Sequence, residues 1–131
     1  MAIEYKIIPE KKLILAKGIG TVKGNEVLKH LEKLAEDTHY IAPMKKLVDY
    51  RNIDNILISS EEAIAIAKKK KDLAERFKNE RCAFISPGDL TYGTSRVHQA
   101  LIQGVDLNTE VFRNVQEAVN WLDVTIDIDN L

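Results

Sequence analysis

The stretch from Lys45 to Ala67, KKLVDYRNIDNILISSEEAIAIA, contains the two patterns that decide the fold. Its first part, Leu47-Val48-Asp49-Tyr50, is short and mostly apolar, which indicates a buried strand. A polar loop follows, and Ser59 with Glu62 three residues later is the capping-box pattern that begins a helix. A strand that leads into a helix in mid-chain predicts a parallel sheet, because parallel strands need crossover connections. We expect this unit to lie at the centre of the sheet.

The chain before this unit predicts a hairpin followed by a helix. Ile3 to Ile8 and Leu13 to Lys17 are two β-rich runs joined by a short polar connection, which favours antiparallel pairing. Thr21 is expected to be the N-cap of the first helix, which extends to about Asp37. Its apolar residues have the spacing of a helix that lies on a sheet: Val27, Leu28, Leu31, Leu34 and Ala35.

The chain after this unit alternates strands and helices. The second helix is expected to end near Asn79, and Cys82 to Ile85 is an apolar run typical of a strand covered on both faces. A third helix over Leu90 to Gln103, a strand over Glu110 to Phe112 and a last helix after Asn114 follow. The order predicts an α/β fold in a single domain over residues 1–131, with an N-terminal antiparallel hairpin followed by alternating helices and parallel strands in one mixed sheet.

Two charged segments have predictions of their own. Lys68 to Lys71 is expected to be a solvated helix face. Val124 to Ile128 alternates apolar residues with Thr125 and Asp127, which indicates one more strand. As an edge strand it would expose unpaired backbone groups, so it would allow a homodimer to form by pairing with a second copy.

Composition narrows the class of protein. The 131 residues are 45% apolar and 30% charged with a net charge of -1, which argues against a general nucleic-acid binder. The single Cys82 is expected to be a buried thiol, and His30, His39 and His98 lack the paired spacing of a zinc site. No apolar run reaches the roughly 20 residues of a membrane-spanning helix. We therefore expect a cytoplasmic protein without membrane insertion, metal or cofactor.

Several short sequence motifs resemble those of a known protein family. They are Gly20-Thr21 before the first helix, Leu47 to Arg51 on the central strand, Tyr92-Gly93 in the third helix, and Val111 to Arg113 followed by Glu117 to Leu122. Together with the order of elements, they resemble the STAS-like superfamily of bacterial anti-sigma-factor antagonists and sulfate-transporter tails. The resemblance is strongest to its small stand-alone SpoIIAA-like proteins. It covers nearly the whole chain and implies a regulatory domain that binds a partner.

The resemblance also draws attention to two serines. In the classical antagonists, a serine at the helix start after the central strand accepts phosphate from a partner kinase. Ser59 and Ser60 stand in the comparable region here, but Glu61 and Glu62 occupy the positions where the motif of the antagonists has glycine after its serines. Their charge would repel a phosphate, partly offset by the helix N-terminus. Position alone predicts Ser59 as an N-cap, and phosphorylation of Ser59 or Ser60 stays open.

The candidate site lies where ligands of open α/β sheets bind, beyond the carboxyl ends of the parallel strands. Two alternatives are open for Arg51, which either holds an anion together with the helix starts or pairs with a neighbouring carboxylate, Asp49 or Asp54. The candidate residues for binding a ligand or partner are Asp49, Tyr50, Arg51, Ser59, Ser60 and Tyr92.

These motifs do not assemble an acid, a base and a nucleophile. We therefore predict a non-catalytic regulatory or interaction domain that presents a rim of strand ends to a protein or small ligand. The alternative is binding of an apolar or lipid-like molecule between the third helix and the sheet. An enzyme would need turnover that depends on His98 or Asp49.

Overall fold

The computed structural model describes residues 2–89, 92–93 and 108–127. Seven strands and three helices lie within these ranges. They are β1 (Ile3–Ile8), β2 (Leu13–Gly18), β3 (Gly20–Lys23), α1 (Gly24–Glu36), β4 (Lys45–Asp49), β5 (Ile53–Leu57), α2 (Ser60–Asp72), β6 (Arg81–Ile85), β7 (Asn108–Phe112) and α3 (Val115–Leu122).

Five of the strands form one mixed sheet in the order β1-β2-β4-β6-β7. β1 is antiparallel to β2, whereas β4, β6 and β7 each run parallel to the strand before them in this order. The predicted fold class, the hairpin and the central position of β4 are therefore confirmed. Leu47 and Val48 are only 1% and 4% exposed, as expected for a strand covered on both faces.

The two faces of this sheet are covered by different helices, because successive side chains of a strand point to opposite sides. Ile14, Ala16 and Val48 pack towards α1 and α2, and we call this side the α1/α2 face. Leu47 points the other way, to what we call the α3 face. Its buried neighbours there are Ala83, Ile85, Val115, Ala118, Val119 and Leu122.

A second, two-stranded sheet differs from the sequence prediction. Thr21 is not an N-cap but lies in β3, which pairs in parallel with β5, and α1 begins at Gly24. Residues 53–57, predicted as loop, are β5 because Ile56 is 7% exposed and packs inward while the polar side chains around it face outward. Gly20, with a φ of 68°, permits the bend between β2 and β3.

The end of α2 and the C-terminal tail also differ from the prediction. α2 ends at Asp72, and turns rather than helix carry the chain to Asn79, whose φ is 59°. The predicted edge strand is wrong for residues 124–127, which form no strand. Instead, Val124 donates its backbone N–H to Val119 O at 3.2 Å and packs with Ile126 against the α3 face. Of the predicted third helix, only Tyr92 and Gly93 are among the described residues, and both are helical.

Close packing at Gly18 generates a stability prediction. A Cβ atom there would lie 2.7 Å from Tyr50 Cδ1 and 2.8 Å from Ile53 Cγ2. We expect Gly18→Ala to lower the free energy of unfolding by about 1–3 kcal/mol, measured by urea denaturation, because buried side chains must move. Gly88→Ala is the matched control, since nothing lies within 4 Å of its added Cβ. Equal stability of the two variants would contradict this packing.

The N-terminal cap of α2 generates a second stability prediction. Ser59 Oγ accepts the backbone N–H of Glu62 at 3.1 Å, and Glu62 Oε1 accepts the N–H of Ser59 at 2.9 Å. We expect Ser59→Ala to cost about 0.5–2 kcal/mol of unfolding free energy because an N–H of the first turn loses its acceptor. Ser60→Ala, at an exposed position one residue later, should leave stability almost unchanged. A larger loss in Ser60→Ala would refute the cap.

Candidate functional site

The carboxyl ends of β4, β6 and β7 lie side by side at one edge of the main sheet. Backbone hydrogen bonds continue past the strands there: Tyr50 N donates to Ile85 O at 3.0 Å, and Ser86 N donates to Phe112 O at 2.8 Å. Five side chains project from the loops at this edge or end its strands, and we call them the strand-end rim. They are Asp49, Arg51, Asp89, Tyr92 and Arg113.

A buried carboxylate anchors the first arginine of the strand-end rim. Asp49 at the end of β4 is 3% exposed. It accepts Arg51 Nε at Oδ1 and Arg51 Nη2 at Oδ2, both at 3.0 Å, and its Oδ1 also accepts the Arg51 backbone N–H at 3.0 Å. Of the carboxylates considered for Arg51, Asp49 is therefore its partner. This bidentate geometry holds the guanidinium in one orientation, while 32% of the Arg51 side chain stays exposed.

The second arginine of the strand-end rim follows β7. Arg113 Nη1 donates to Asp89 Oδ1 at 2.8 Å and to Pro87 O at 3.2 Å. Its guanidinium carbon also lies 4.2 Å from the centre of the Tyr92 ring, within the range of a cation–π contact. Since Arg113 and Asp89 are exposed, this ion pair contributes little to stability. Its effect is to place an aromatic ring and two charges together at the surface.

The remaining predicted site residues lie elsewhere. Ser59 and Ser60 follow β5 of the second sheet rather than a strand of the main one, and the hydrogen bonds of Ser59 go to the first turn of α2. Ser60 is exposed. Tyr50 is 6% exposed, so its ring is not part of the surface, and burial raises its pKa. The structure thus brings Asp49, Arg51 and Tyr92 to one edge and separates the other three from it.

Tyr50 instead lines a cavity between the α1/α2 face of the sheet and the two helices. The cavity has a volume of about 50 Å³. Its wall is mainly apolar, with Val48 from β4, Ile56 from β5, Ile66 from α2 and the ring of Phe84 from β6. An outer groove runs past β1 and α1 on the other side of Ile3 and His30, and these two residues line both spaces.

Three basic side chains lie in the wall of this cavity: His30 from α1, Lys46 from β4 and Lys70 from α2. They are 6%, 3% and 4% exposed respectively. Lys46 Nζ lies 2.7 Å from His30 Nε2, and a protonated lysine can only donate, so the imidazole accepts at Nε2. Sequence reasoning missed this cluster.

Two signals in the sequence could have found these residues. Lys46 alternates with Val48 and Tyr50 on β4, so it must share their face. Lys70 stands four residues after Ile66, on the inward stripe of α2. The expectation of a solvated face over Lys68 to Lys71 is therefore wrong for Lys70, although Lys68 and Lys71 are exposed.

Burial shifts the pKa values of His30, Lys46 and Cys82. Burial lowers the pKa of His30 to about 2, and the nearby charges of Lys46 and Lys70 act in the same direction. Burial also lowers the pKa of Lys46, although the negative charge of Glu80 opposes this shift. Cys82 is buried as predicted, and burial raises the pKa of its thiol, so the reactive thiolate form is disfavoured.

The lowered pKa of His30 predicts a pH dependence of stability. Because its pKa in the folded chain, about 2, is below the unfolded value of 6.5, only the unfolded chain takes up a proton as the pH falls below 6.5. We expect this to cost about 1 kcal/mol of unfolding free energy per pH unit between roughly pH 6 and 4.5. Urea denaturation should show a shallower pH slope in His30→Gln, which keeps an acceptor for Lys46. NMR titration of the His30 ring near pH 6.5 would contradict the prediction.

None of the helices in the part of the chain that the structure describes is long and apolar enough to cross a membrane. No protein-family model matches this chain. No curated protein matches it either.

Solved structures do match. One is a protein of the DUF3478 family with a SpoIIAA-like fold from Shewanella loihica PV-4, with 20% sequence identity, a TM-score of 0.59, and coverage of 92% of this chain and 94% of that one. Another is the anti-sigma factor antagonist SpoIIAA in its unphosphorylated form, with 8% identity, a TM-score of 0.56, and coverage of 95% and 100%. Both are similar over nearly their whole length, with the same mixed α/β architecture. The chain therefore has a STAS-like fold of the SpoIIAA type.

Proposed function

We propose that this chain is a non-catalytic regulatory domain that binds a protein partner through the strand-end rim. The observation that carries the proposal is the fixed pair of arginines at this edge, one held by buried Asp49 and the other stacked on Tyr92. Arginine and tyrosine are enriched among the residues that dominate protein interfaces, and side chains already held in place lose less entropy on binding.

The chemistry of the strand-end rim favours recognition over catalysis. Each arginine is paired with a carboxylate, Asp49 or Asp89, so both charges serve to position side chains. The thiol of Cys82 is buried on β6 and is not part of this edge. One of the similar solved structures is an anti-sigma factor antagonist, which supports a regulatory role. A single domain over residues 1–131, a cytoplasmic location, the lack of a cofactor and a homodimer are further parts of this proposal.

A second candidate function is binding of an apolar small molecule between helix and sheet. The observation that favours it is the cavity on the α1/α2 face, whose wall is largely formed by aliphatic and aromatic side chains. Sequence analysis placed such a site beside the third helix, which lies almost wholly outside the described residues. The cavity beside α1 and α2 offers a different place for the same kind of ligand.

The strand-end rim is tested by quantitative pull-down from lysate with purified full-length chain. We expect Arg51→Ala and Tyr92→Ala each to reduce recovery of the partner roughly 10-fold or more, because each removes a central anchor. Lys29→Ala, at an exposed position of α1, is the matched control and should recover the partner like the unaltered chain.

Circular dichroism and urea denaturation of each variant separate lost binding from lost folding. Arg51→Ala leaves Asp49 buried without its partner, so its stability must be measured before its binding is interpreted. Tyr92→Ala removes no buried charge and is the cleaner of the two variants. Undiminished recovery with both folded variants would refute the strand-end rim as the binding surface.

A further inference from the structure

The cavity on the α1/α2 face has two buried lysines in its wall that form no ion pair with a carboxylate of the described residues. Lys46 and Lys70 are 3% and 4% exposed, and both line the cavity. No carboxylate oxygen of the described residues lies within 4.0 Å of either Nζ atom. Lysines are almost never this deeply buried unless they are paired. The arrangement therefore calls for a compensating group.

The groups that surround the two ammonium nitrogens do not supply that compensation. Lys46 Nζ contacts the neutral imidazole of His30, and Lys70 Nζ lies 5.8 Å from the centre of the Phe84 ring. Glu80 is buried and accepts a hydrogen bond from Tyr40 Oη at 2.7 Å, and its charge acts on Lys46 from farther away. When both lysines are protonated, Lys70 repels the charge of Lys46 and Glu80 attracts it.

An excess positive charge in an apolar cavity is costly, since a buried unpaired ion loses its hydration. The protein has two ways to remove this cost. A lysine can release its proton, in the direction in which burial shifts the pKa of Lys46, or a single anion can enter and balance the charge. The second way also fills the space, whose wall combines three basic side chains with mainly apolar ones.

The size and wall of the cavity limit that anion. About 50 Å³ corresponds to roughly three to five water-sized positions, which is room for only a few non-hydrogen atoms. Besides the lysines, the wall includes the apolar side chains of Val48, Ile66 and Phe84. Phosphate and sulfate have no apolar part to place against these side chains. A carboxylate with a short aliphatic tail matches both the basic and the apolar side chains of the wall.

We propose that this cavity binds a small aliphatic monocarboxylate, whose carboxylate is held between Lys46 and Lys70 and whose tail packs on the apolar wall. This inference rests on the second candidate function and names its ligand class. His30 remains neutral in this arrangement and keeps its contact with Lys46. Charge-assisted hydrogen bonds to the two ammonium groups give the carboxylate its preference over a neutral isostere.

Propionate and propionamide, which have the same shape but differ in charge, are the probes. Methyl groups of Val48 and Ile66 in the full-length chain report occupancy by NMR as each compound is added. We expect saturable shifts with propionate and binding of propionamide weaker by about 10-fold or more, since a hydrogen bond to a charged group is worth about 1.5–3 kcal/mol. Octanoate should bind more weakly than propionate because its tail exceeds the cavity.

Lys46→Met and Lys70→Met keep the length of each side chain and remove its charge, and such replacements of buried charges usually leave the fold intact. We expect both variants to lose propionate binding. Lys71→Met is the matched control, since Lys71 is exposed one residue along α2 and should have no effect.

Each remaining outcome counts against a defined part of the inference. Equal affinity for propionate and propionamide, or full propionate binding in both methionine variants, would overturn the carboxylate class while an apolar ligand survives. Tighter binding of octanoate would overturn the size limit. Absence of saturable shifts with either probe would overturn the proposed monocarboxylate and leave a neutral apolar ligand, the second candidate function, standing.

Discussion

The double burial of β4 is the constraint on which the rest of the structure depends. Leu47 and Val48 are adjacent in sequence but pack on opposite sides, one against α3 and the other towards α1 and α2. A parallel strand in this position needs cover on both faces, which α1 and α2 supply on one side and α3 on the other. The order β1-β2-β4-β6-β7 then follows, with the carboxyl ends of β4, β6 and β7 at one edge.

The same alternation divides the chemistry of β4 between two places. Lys46 and Tyr50 point into the cavity on the α1/α2 face, whereas Asp49 ends on the other side and holds Arg51. A register shift of one residue would exchange these roles, placing a carboxylate in the apolar cavity and a lysine against α3. Both candidate sites therefore depend on one strand register, which Val48 and Leu47 maintain through their packing.

The sequence was sufficient for features that depend on periodicity and local capping. The stripe of α1, the cap at Ser59 and the central strand are all patterns that neighbouring residues produce among themselves. The β3 and β5 pair was missed because each strand is only four or five residues long and finds its partner far along the chain. Long-range pairing of this kind leaves little trace in a single segment.

The candidate sites were also predictable to different degrees, because some of their features follow from local patterns and others from long-range contacts. Asp49, Arg51 and Tyr92 share an edge because parallel strands end together, a rule that needs only the order of elements. The alternation of Lys46 and Tyr50 with Val48 contained enough information to place both side chains on the α1/α2 face, although the sequence prediction placed Tyr50 at the binding edge and did not consider Lys46. The contact of Lys46 with His30 did not follow from this alternation, because it requires the distance between a strand and a helix 16 residues apart in the chain. Charged residues in a run also look solvated until one helix face is known to be covered, as at Lys70.

The wall shared by the cavity and the outer groove has a kinetic consequence. Ile3 and His30 each line both spaces, so these two side chains form part of the wall between the cavity and the groove beside β1. Rotation of two side chains is fast compared with separation of paired strands or packed helices. A molecule that passed from the groove to the cavity through this wall would require new rotamers of Ile3 and His30 and loss of the His30 contact with Lys46, but no separation of strands or helices.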